Sequence, residues 1–324
     1  RQQRHLGGSM LCRVADSLYW IARYIERAEN LVRFLKVGWA VSLDSEHPGA
    51  SQWLSLIDAC ADRVLFEKLN SSPSPMAVIN FITNHPDNPN SISNCIAAAR
   101  ENARQIREVI PSEVFEEINE LHLLLQEEPE FWQLPLTDQL DEIRRRCLVI
   151  RGVEEATMQR DESWCFTRMG RMMERADKTA RMLDVKYFLL LPKPEDVGGP
   201  LDELQWIALL HSVSAYQMYR QYHAEISPSQ VSAFLLMEPL FPRSVHYCLL
   251  QLITSVETIE NNGSSQAGST LLAALKLLRD QWSNTEITSL ISSGLHEGID
   301  QLQQQLDSIH NLTEARYFTP SPCT

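Results

Sequence analysis

The chain has 324 residues, 44% of them hydrophobic and 22% charged, enough for one large domain or two modest ones around a sizeable core. Its formal net charge of −13 argues against a nucleic-acid backbone as the main partner, and no apolar run is long enough to span a bilayer. Seven cysteines, an odd number with no Cys-x-x-Cys spacing, read as free thiols of a reduced, cytoplasmic protein, and no signal peptide opens the chain.

Residues 1–9, RQQRHLGGS, read as an added leader, with the native start at Met10. From Leu11 to about Val41, apolar residues recur at three and four (Val14, Leu18, Ile21, Ile25, Ala28, Leu31, Leu35), which predicts a long amphipathic helix. His47-Pro48-Gly49 breaks it. A helix from about Ser51 to Leu69 ends at SSPSP, and a short one covers Met76 to Thr83. NHPDNPN is a proline-punctuated loop. Ser91 is placed to cap the next helix, which stops near Pro111; helix restarts at Ser112 and runs to about Leu125. Helices follow from Thr137 to about Arg160 and from Glu162 to Leu190. Lys193 to Pro200, KPEDVGGP, is the best linker, so residues 10–192 form an N-terminal helical region and 200–324 a C-terminal one that packs on it as one compact unit. In the second region helical spacing covers Leu201 to Tyr222, Val231 to Met237, a stretch after Phe241-Pro242-Arg243-Ser244 reaching Glu260, Thr270 to Trp282, and Glu286 to about Ile309. Pro242 suits a first helical turn, NNGSSQAGS is a turn or mobile loop, and the tail from Tyr317 is expected to be loose. Nothing reads as a strand. The expected class is all-α, a bundle of long helices with an internal repeat.

The repeat is the strongest signal. Cys165 to Leu189 lies on residues 12 to 36 at an offset of 148, since 174 − 26 = 148. Arg23 falls on Arg171, Glu26 on Glu174, Arg27 on Arg175, Glu29 on Asp177 and Arg33 on Arg181, while most positions between pair apolar with apolar. Exposed charges are free to drift because surface ion pairs contribute little. Here sign and chemical type return at each place. Two such helices side by side are expected to set guanidinium groups opposite carboxylates, around a pseudo-twofold axis, with Arg supplying a planar fork that stays charged.

Three sets of residues are candidates for chemistry. The first is Arg23, Glu26, Arg27, Glu29, Asn30, Arg171, Glu174, Arg175, Asp177 and Arg181, read as a polar pocket at the helix pair; the plain alternative is a buried salt-bridge network that only joins the two halves. The second is Arg100, Glu101, Asn102 and Arg104, where RENAR repeats the same grammar of cation, acid, amide and cation; the alternative is a solvated face. The third is Arg243, which with Ser244 lies near a helix start and suits a phosphate or carboxylate; the alternative is a capping serine beside an exposed arginine. Metal sites fare poorly: His296 and Asp300 are four apart with no third ligand evident, and neither His-Glu-x-x-His nor Glu-x-x-His occurs. Asp58 and Asp62 make one Asp-x-x-x-Asp without a second acidic cluster, which leaves an isoprenoid-type helical enzyme a weak reading. No glycine-rich phosphate loop is present, and His211, His223 and His246 are expected to serve packing or surface.

YIERAENLVRFL and GRMMERADKTARMLDVKY closely resemble the two Glu-Arg motifs of the alpha-E family of bacterial helical proteins. Ser91 to His122 and Phe241 to Val245 also fit that family, so the resemblance spreads over nearly the whole chain from Leu11 on. It implies a setting beside a circularly permuted ATP-grasp protein, often with a transglutaminase-like protein, in ATP-dependent amide-bond formation or peptide modification. It implies ATP and magnesium for the ligase only, and no cofactor in this chain. Two expectations follow: a helical component that binds an acidic or amino-acid-like group in a central Arg/Glu-lined pocket, or a non-catalytic scaffold for the ligase whose Glu-Arg network is purely structural.

Overall fold

The computed structural model describes residues 8–43, 50–70, 73–189, 199–262 and 269–319. Helix follows helix through all of them, and no strand occurs among the described residues. In chain order the helices are α1 (Gly8–Leu43), α2 (Ala50–Cys60), α3 (Arg63–Leu69), α4 (Pro75–Thr83), α5 (Ile92–Gln105), α6 (Ser112–Glu127), α7 (Leu136–Thr157), α8 (Glu162–Leu189), α9 (Pro200–Ser212), α10 (Tyr216–Tyr222), α11 (Pro228–Met237), α12 (Val245–Asn262), α13 (Thr270–Ser283) and α14 (Ile287–Thr313).

The two longest helices, α1 and α8, lie against each other at the centre. Tyr19, Ile25, Ala28 and Leu35 of α1 and Met169, Met173, Ala176 and Leu183 of α8 are buried between them and their neighbours. Gly170 is what lets them touch: a Cβ there would stand 2.0 Å from the Tyr19 carbonyl oxygen. One turn further along α8 come Glu174 and Arg175, so the close approach brings opposing charged side chains within reach. Around this pair, α5 and α7 flank α1, α12 and α14 flank α8, and α2 and α9 touch both. Segments from both ends of the sequence thus pack on the same two helices.

The ends of the elements depart from expectation where the chain turns without glycine. The helix expected from Ser51 to Leu69 is two helices, broken at Ala61 (φ 62), and the one expected from Leu201 to Tyr222 is broken at Ser214 (φ 54). Left-handed Ala and Ser are uncommon, so composition carried no hint of either break. The helix expected to reach Arg160 stops at Thr157. α14 bends at Gly294 (φ 118), a backbone position open to glycine. Pro242 sits not in a first helical turn but in the turn before it, closed by Ser244 N–H donating to Phe241 O at 2.9 Å. The tail at Tyr317 and Phe318 is not loose: Phe318 packs 5.1 Å from Tyr19 and Tyr317 5.2 Å from Phe166. Helix already covers Gly8 and Ser9, upstream of Met10. The linker expected from Lys193 lies outside the described residues up to 198, as do most of NNGSSQAGS, residues 1–7 and Cys323; the six described cysteines are free thiols.

Candidate functional site

The charged residues of α1 and α8 meet as two clusters. In the first, Glu26 accepts both Nε and Nη2 of Arg175, each at 2.9 Å, and Nη1 of Arg243 at 3.1 Å. Glu29 accepts Nε and Nη2 of its helix neighbour Arg33 (3.2 and 2.5 Å), Nη2 of Arg243 (3.0 Å) and Nη1 of Arg151 from α7 (2.7 Å). Asn30 donates to the Glu26 carbonyl at 2.8 Å and accepts from Arg243 at 3.2 Å. Arg175 gives its remaining Nη1 to the Pro242 carbonyl at 3.1 Å. Glu26, Glu29, Asn30, Arg33, Arg175 and Arg243 are all buried. Burial opposes the charge on Glu26, but Arg175, Arg243 and Arg151 together hold it well below the usual carboxylate range. Burial likewise opposes Glu29, which Arg243, Arg33 and Arg151 bring down to about 2. The same burial, with Arg175 and Arg33 close by, brings Arg243 down to about 10 despite its two carboxylates.

In the second cluster Glu174 accepts Nε and Nη2 of Arg27 (2.7 and 3.1 Å) and Nε of Arg23 (2.8 Å), with Lys178 Nζ at 3.8 Å. Asp177 holds Arg181 at 2.9 Å and Lys178 at 3.1 Å. Arg27 also donates to Asn90 Oδ1 at 2.6 Å, and Asn90 donates to Asp62 at 3.0 Å. Arg23 lies 5.0 Å over the Trp20 ring, a cation–π contact. Glu174 is held below the usual range: burial opposes its charge, and Arg27, Arg23 and Lys178 outweigh it.

The Glu26–Arg175 and Glu174–Arg27 forks exchange into one another at the 148-residue offset, and so do the Glu29–Arg33 and Asp177–Arg181 pairs. The exchange fails at Arg171. Its counterpart Arg23 meets Glu174, whereas Arg171 turns to buried Glu154 of α7. There burial outweighs Arg171 and leaves Glu154 above the usual range.

The second cluster borders a cavity of about 160 Å³. Its wall carries Arg23, Arg27, Lys178 and Arg181, the acids Asp62, Asp177 and Asp307, and neutral Asn90, Cys60 and His310. Asp62 titrates high because burial outweighs the hydrogen bond from Asn90 and the charges of Lys178 and Arg27. His310 titrates low, by burial and then by Arg23, so the imidazole is neutral at neutral pH; Tyr19 Oη lies 3.0 Å from its Nδ1. Burial pushes the Cys60 thiol up to about 12, which removes it as a thiolate nucleophile. Among the described residues, the wall therefore offers cations, acids and a neutral amide together, with no activated nucleophile. That suits holding a small charged group better than covalent chemistry.

Of the residues singled out in the sequence, Arg23, Arg27, Asp177 and Arg181 line this cavity and Glu174 anchors it from behind. Glu26, Glu29, Asn30 and Arg175 belong to the enclosed first cluster. Arg243 is there too: its guanidinium is taken up by Glu26, Glu29 and Asn30, so it is not presented to an external anion, while Ser244 Oγ caps α12 by accepting from Tyr247 N–H at 3.0 Å. Arg100, Glu101, Asn102 and Arg104 meet neither cluster. Arg100 donates to Asn119 of α6, Glu101 pairs with Arg104 at the surface, and Asn102 is half-buried on the same helix. RENAR copies the sequence grammar on a helix that does not carry it to the α1–α8 seam. Asp58 pairs with Arg63 rather than with Asp62. His296 does have a third group beside it, Asp184 of α8, at 2.9 Å from Nδ1, with Asp300 3.4 Å from Nε2. The three ligand atoms lie within 4.8 Å of one another. Both ring nitrogens face carboxylates, so the imidazole bridges α14 to α8; burial lowers its pKa but the two acids carry it above the ordinary value.

Sequence reasoning missed Asn90, Lys178, Arg151, Glu154 and His310. Lys178 was within reach, since it stands at the repeat position of Asn30. Asn90 closes the loop read only as a turn, and nothing local marks it as a partner for Arg27.

A family model described as a predicted alpha-helical domain with a conserved ER motif, Alpha-E, matches residues 10–318, and the chain belongs to that family. No curated protein and no solved structure matches it. No helix among the described residues is long and apolar enough to cross a membrane.

Proposed function

We propose that this Alpha-E protein is the substrate-holding helical component of an ATP-grasp-linked system that makes or modifies peptides, and that it holds an acidic or amino-acid-like group in the cavity beside Glu174. One observation carries the reading: a cavity walled by four cations and three acids, with Glu174 behind it as a fourth. A wall balanced in that way complements a zwitterion, whose carboxylate takes Arg or Lys and whose ammonium takes Asp. At about 160 Å³ the space is below the roughly 300 Å³ of ordinary ligand pockets, so it takes one residue-sized group and not a whole peptide. Amide-bond formation needs such a group held still while another protein activates its partner. The ligase is a circularly permuted ATP-grasp protein, with a transglutaminase-like protein as a further partner, which the family resemblance supports; the setting is cytoplasmic, which the odd number and scatter of the cysteines support. ATP and magnesium belong to the ligase.

The test is to incubate the purified chain with the neighbouring ATP-grasp protein, ATP, magnesium and a panel of amino acids, and to follow the products by mass. Product that forms with the parent chain and is lost with Arg27→Met supports the reading. Product formation indifferent to Arg27→Met, with the variant still folded, contradicts it.

The enclosed Glu26 cluster favours a second reading for its own half of the network. Its carboxylates are saturated by guanidinium groups of this chain, so it joins α1, α8, α7 and the turn before α12. That half is scaffold.

A further inference from the structure

A second cavity, of about 430 Å³, lies among α1, α7 and α9. Helix α9 is apolar on two faces. Trp206, Leu209 and Leu210 are buried in the core. Leu204, Ile207, Ala208 and His211, spaced three, four and seven apart, form another stripe, and it lines this cavity. Leu204 is 62% exposed. The helix cannot roll to bury that stripe, because its inner face is pinned: Lys186 donates to Asp202 at 2.7 Å and to Gln205 at 3.0 Å, and sits 4.8 Å over the Trp206 ring. A core helix has no use for a second apolar face, so the stripe needs its own occupant.

The charges around the stripe say which one. Arg33, Lys36 and Arg144 border the cavity, and no acid among the described residues lines it. Lys36 is paired with Asp141 and Arg33 with Glu29. Arg144 has no carboxylate partner among the described residues, and its Nε is buried without a hydrogen bond. Arg33 adds Nη1 bonds to the Ser212 carbonyl (2.9 Å) and to Ser214 Oγ (2.7 Å), which hold the end of α9 and its left-handed turn in place. A cationic rim in a chain of net charge −13 runs against the prevailing sign.

We propose that this cavity is a binding site for an anionic amphiphile, an aliphatic chain carrying one carboxylate. The chain lies along Val37, Leu204, Ile207 and Ala208, and the carboxylate meets Arg144 and Lys36. The volume falls within the range of roughly 300–1,000 Å³ for small-molecule sites, and the lining follows their usual pattern of apolar walls with few polar groups. Arg144 is half-buried and no carboxylate of the described residues takes up its charge, so a ligand's carboxylate meets no competing acid there. The site is separate from the Glu174 cavity, with which it shares no lining residue among the described residues.

Isothermal titration with decanoate, decanol and acetate tests it, on the full chain and on Arg144→Gln, Leu204→Glu and Arg27→Met. Decanoate is expected to bind one per chain. Arg144→Gln removes the unpaired charge and Leu204→Glu places an acid at the mouth; each weakens decanoate by roughly tenfold or more. Decanol and acetate, lacking the charge or the chain, bind the parent at least roughly tenfold more weakly, and decanol is indifferent to Arg144→Gln. Arg27→Met, at the other cavity, leaves decanoate affinity unchanged. Leu204 is exposed, so its variant keeps the parent's melting temperature and remains informative if Arg144→Gln fails to fold. No saturable decanoate binding, binding that survives either folded variant unchanged, or decanol matching decanoate overturns the proposal.

Discussion

Glu26 of α1 and Glu174 of α8 stand 148 residues apart, and each is forked by an arginine of the other helix. Yet Glu26 is closed in together with its partners, whereas the arginines that hold Glu174 line a cavity. The difference comes from what else packs there. On the Glu26 side the turn before α12 delivers Arg243 across both Glu26 and Glu29, and α7 adds Arg151. On the Glu174 side the corner after α2, Asn90 and the end of α14 meet at a distance and leave space. Two Glu-Arg helices thus supply two charge clusters, and the third element decides which of them becomes a frame and which borders a cavity.

The largest expected effect is on the closed side. Arg175→Met alone takes the two-pronged fork from the enclosed Glu26 and the donor from the Pro242 carbonyl, while Arg243 stays at 3.1 Å, so it should lower stability by about 3 kcal/mol, the lower end for breaking a buried pair. Adding Glu26→Leu should restore part of it, because the apolar pair avoids the desolvation of both ions while Arg243 keeps Glu29 and Asn30. Thermal melts of the two variants read this directly. A double variant as unstable as the single one would mean that the closed cluster is not the self-contained frame described here.

Acid should act on both clusters next. Glu26, Glu29 and Glu174 all titrate lower folded than unfolded, so each stabilises the fold above the ordinary carboxylate value and stops doing so as pH falls through its folded value. For Glu29, the drop from 4.5 to about 2 corresponds to on the order of 3 kcal/mol. Glu154 and Asp62 titrate high and offset part of it. Denaturation midpoints measured between about pH 5 and pH 2 should fall steadily. A flat profile there would remove the charged network from the account of stability.

On the open side Arg27→Met should cost less, about 1–2 kcal/mol, because Arg23 and Lys178 still face Glu174. It should instead abolish amino-acid binding. The smallest effect belongs to the surface pair: Glu101→Ala or Arg104→Ala should change neither the melt nor ligand binding. Loss of binding in either would return the RENAR segment to the site.

The helical class, the seam between the two Glu-Arg helices and most of its charged residues were legible, because helical period and a fixed offset are local properties of the chain. The asymmetry was not. Arg243 reaches Glu26 from 217 positions away, and the loop that supplies Asn90 looks like any proline-rich turn. The breaks at Ala61 and Ser214 use left-handed residues that are not glycine, so no punctuation announced them. RENAR shows the converse: the right residues in the right order, on a helix whose charged side looks away from the seam. Asp184 escaped notice beside His296 for the same reason as Arg243, a contact between helices 112 positions apart.

The most direct test of the division between frame and site is a calorimetric titration of amino acids into three proteins: the parent, Arg27→Met, and the paired exchange Glu26→Leu with Arg175→Met. The parent should bind an amino acid, Arg27→Met should not, and the folded pair should bind as the parent does. Binding lost in the folded pair but retained in Arg27→Met would place the site on the closed side and contradict the account.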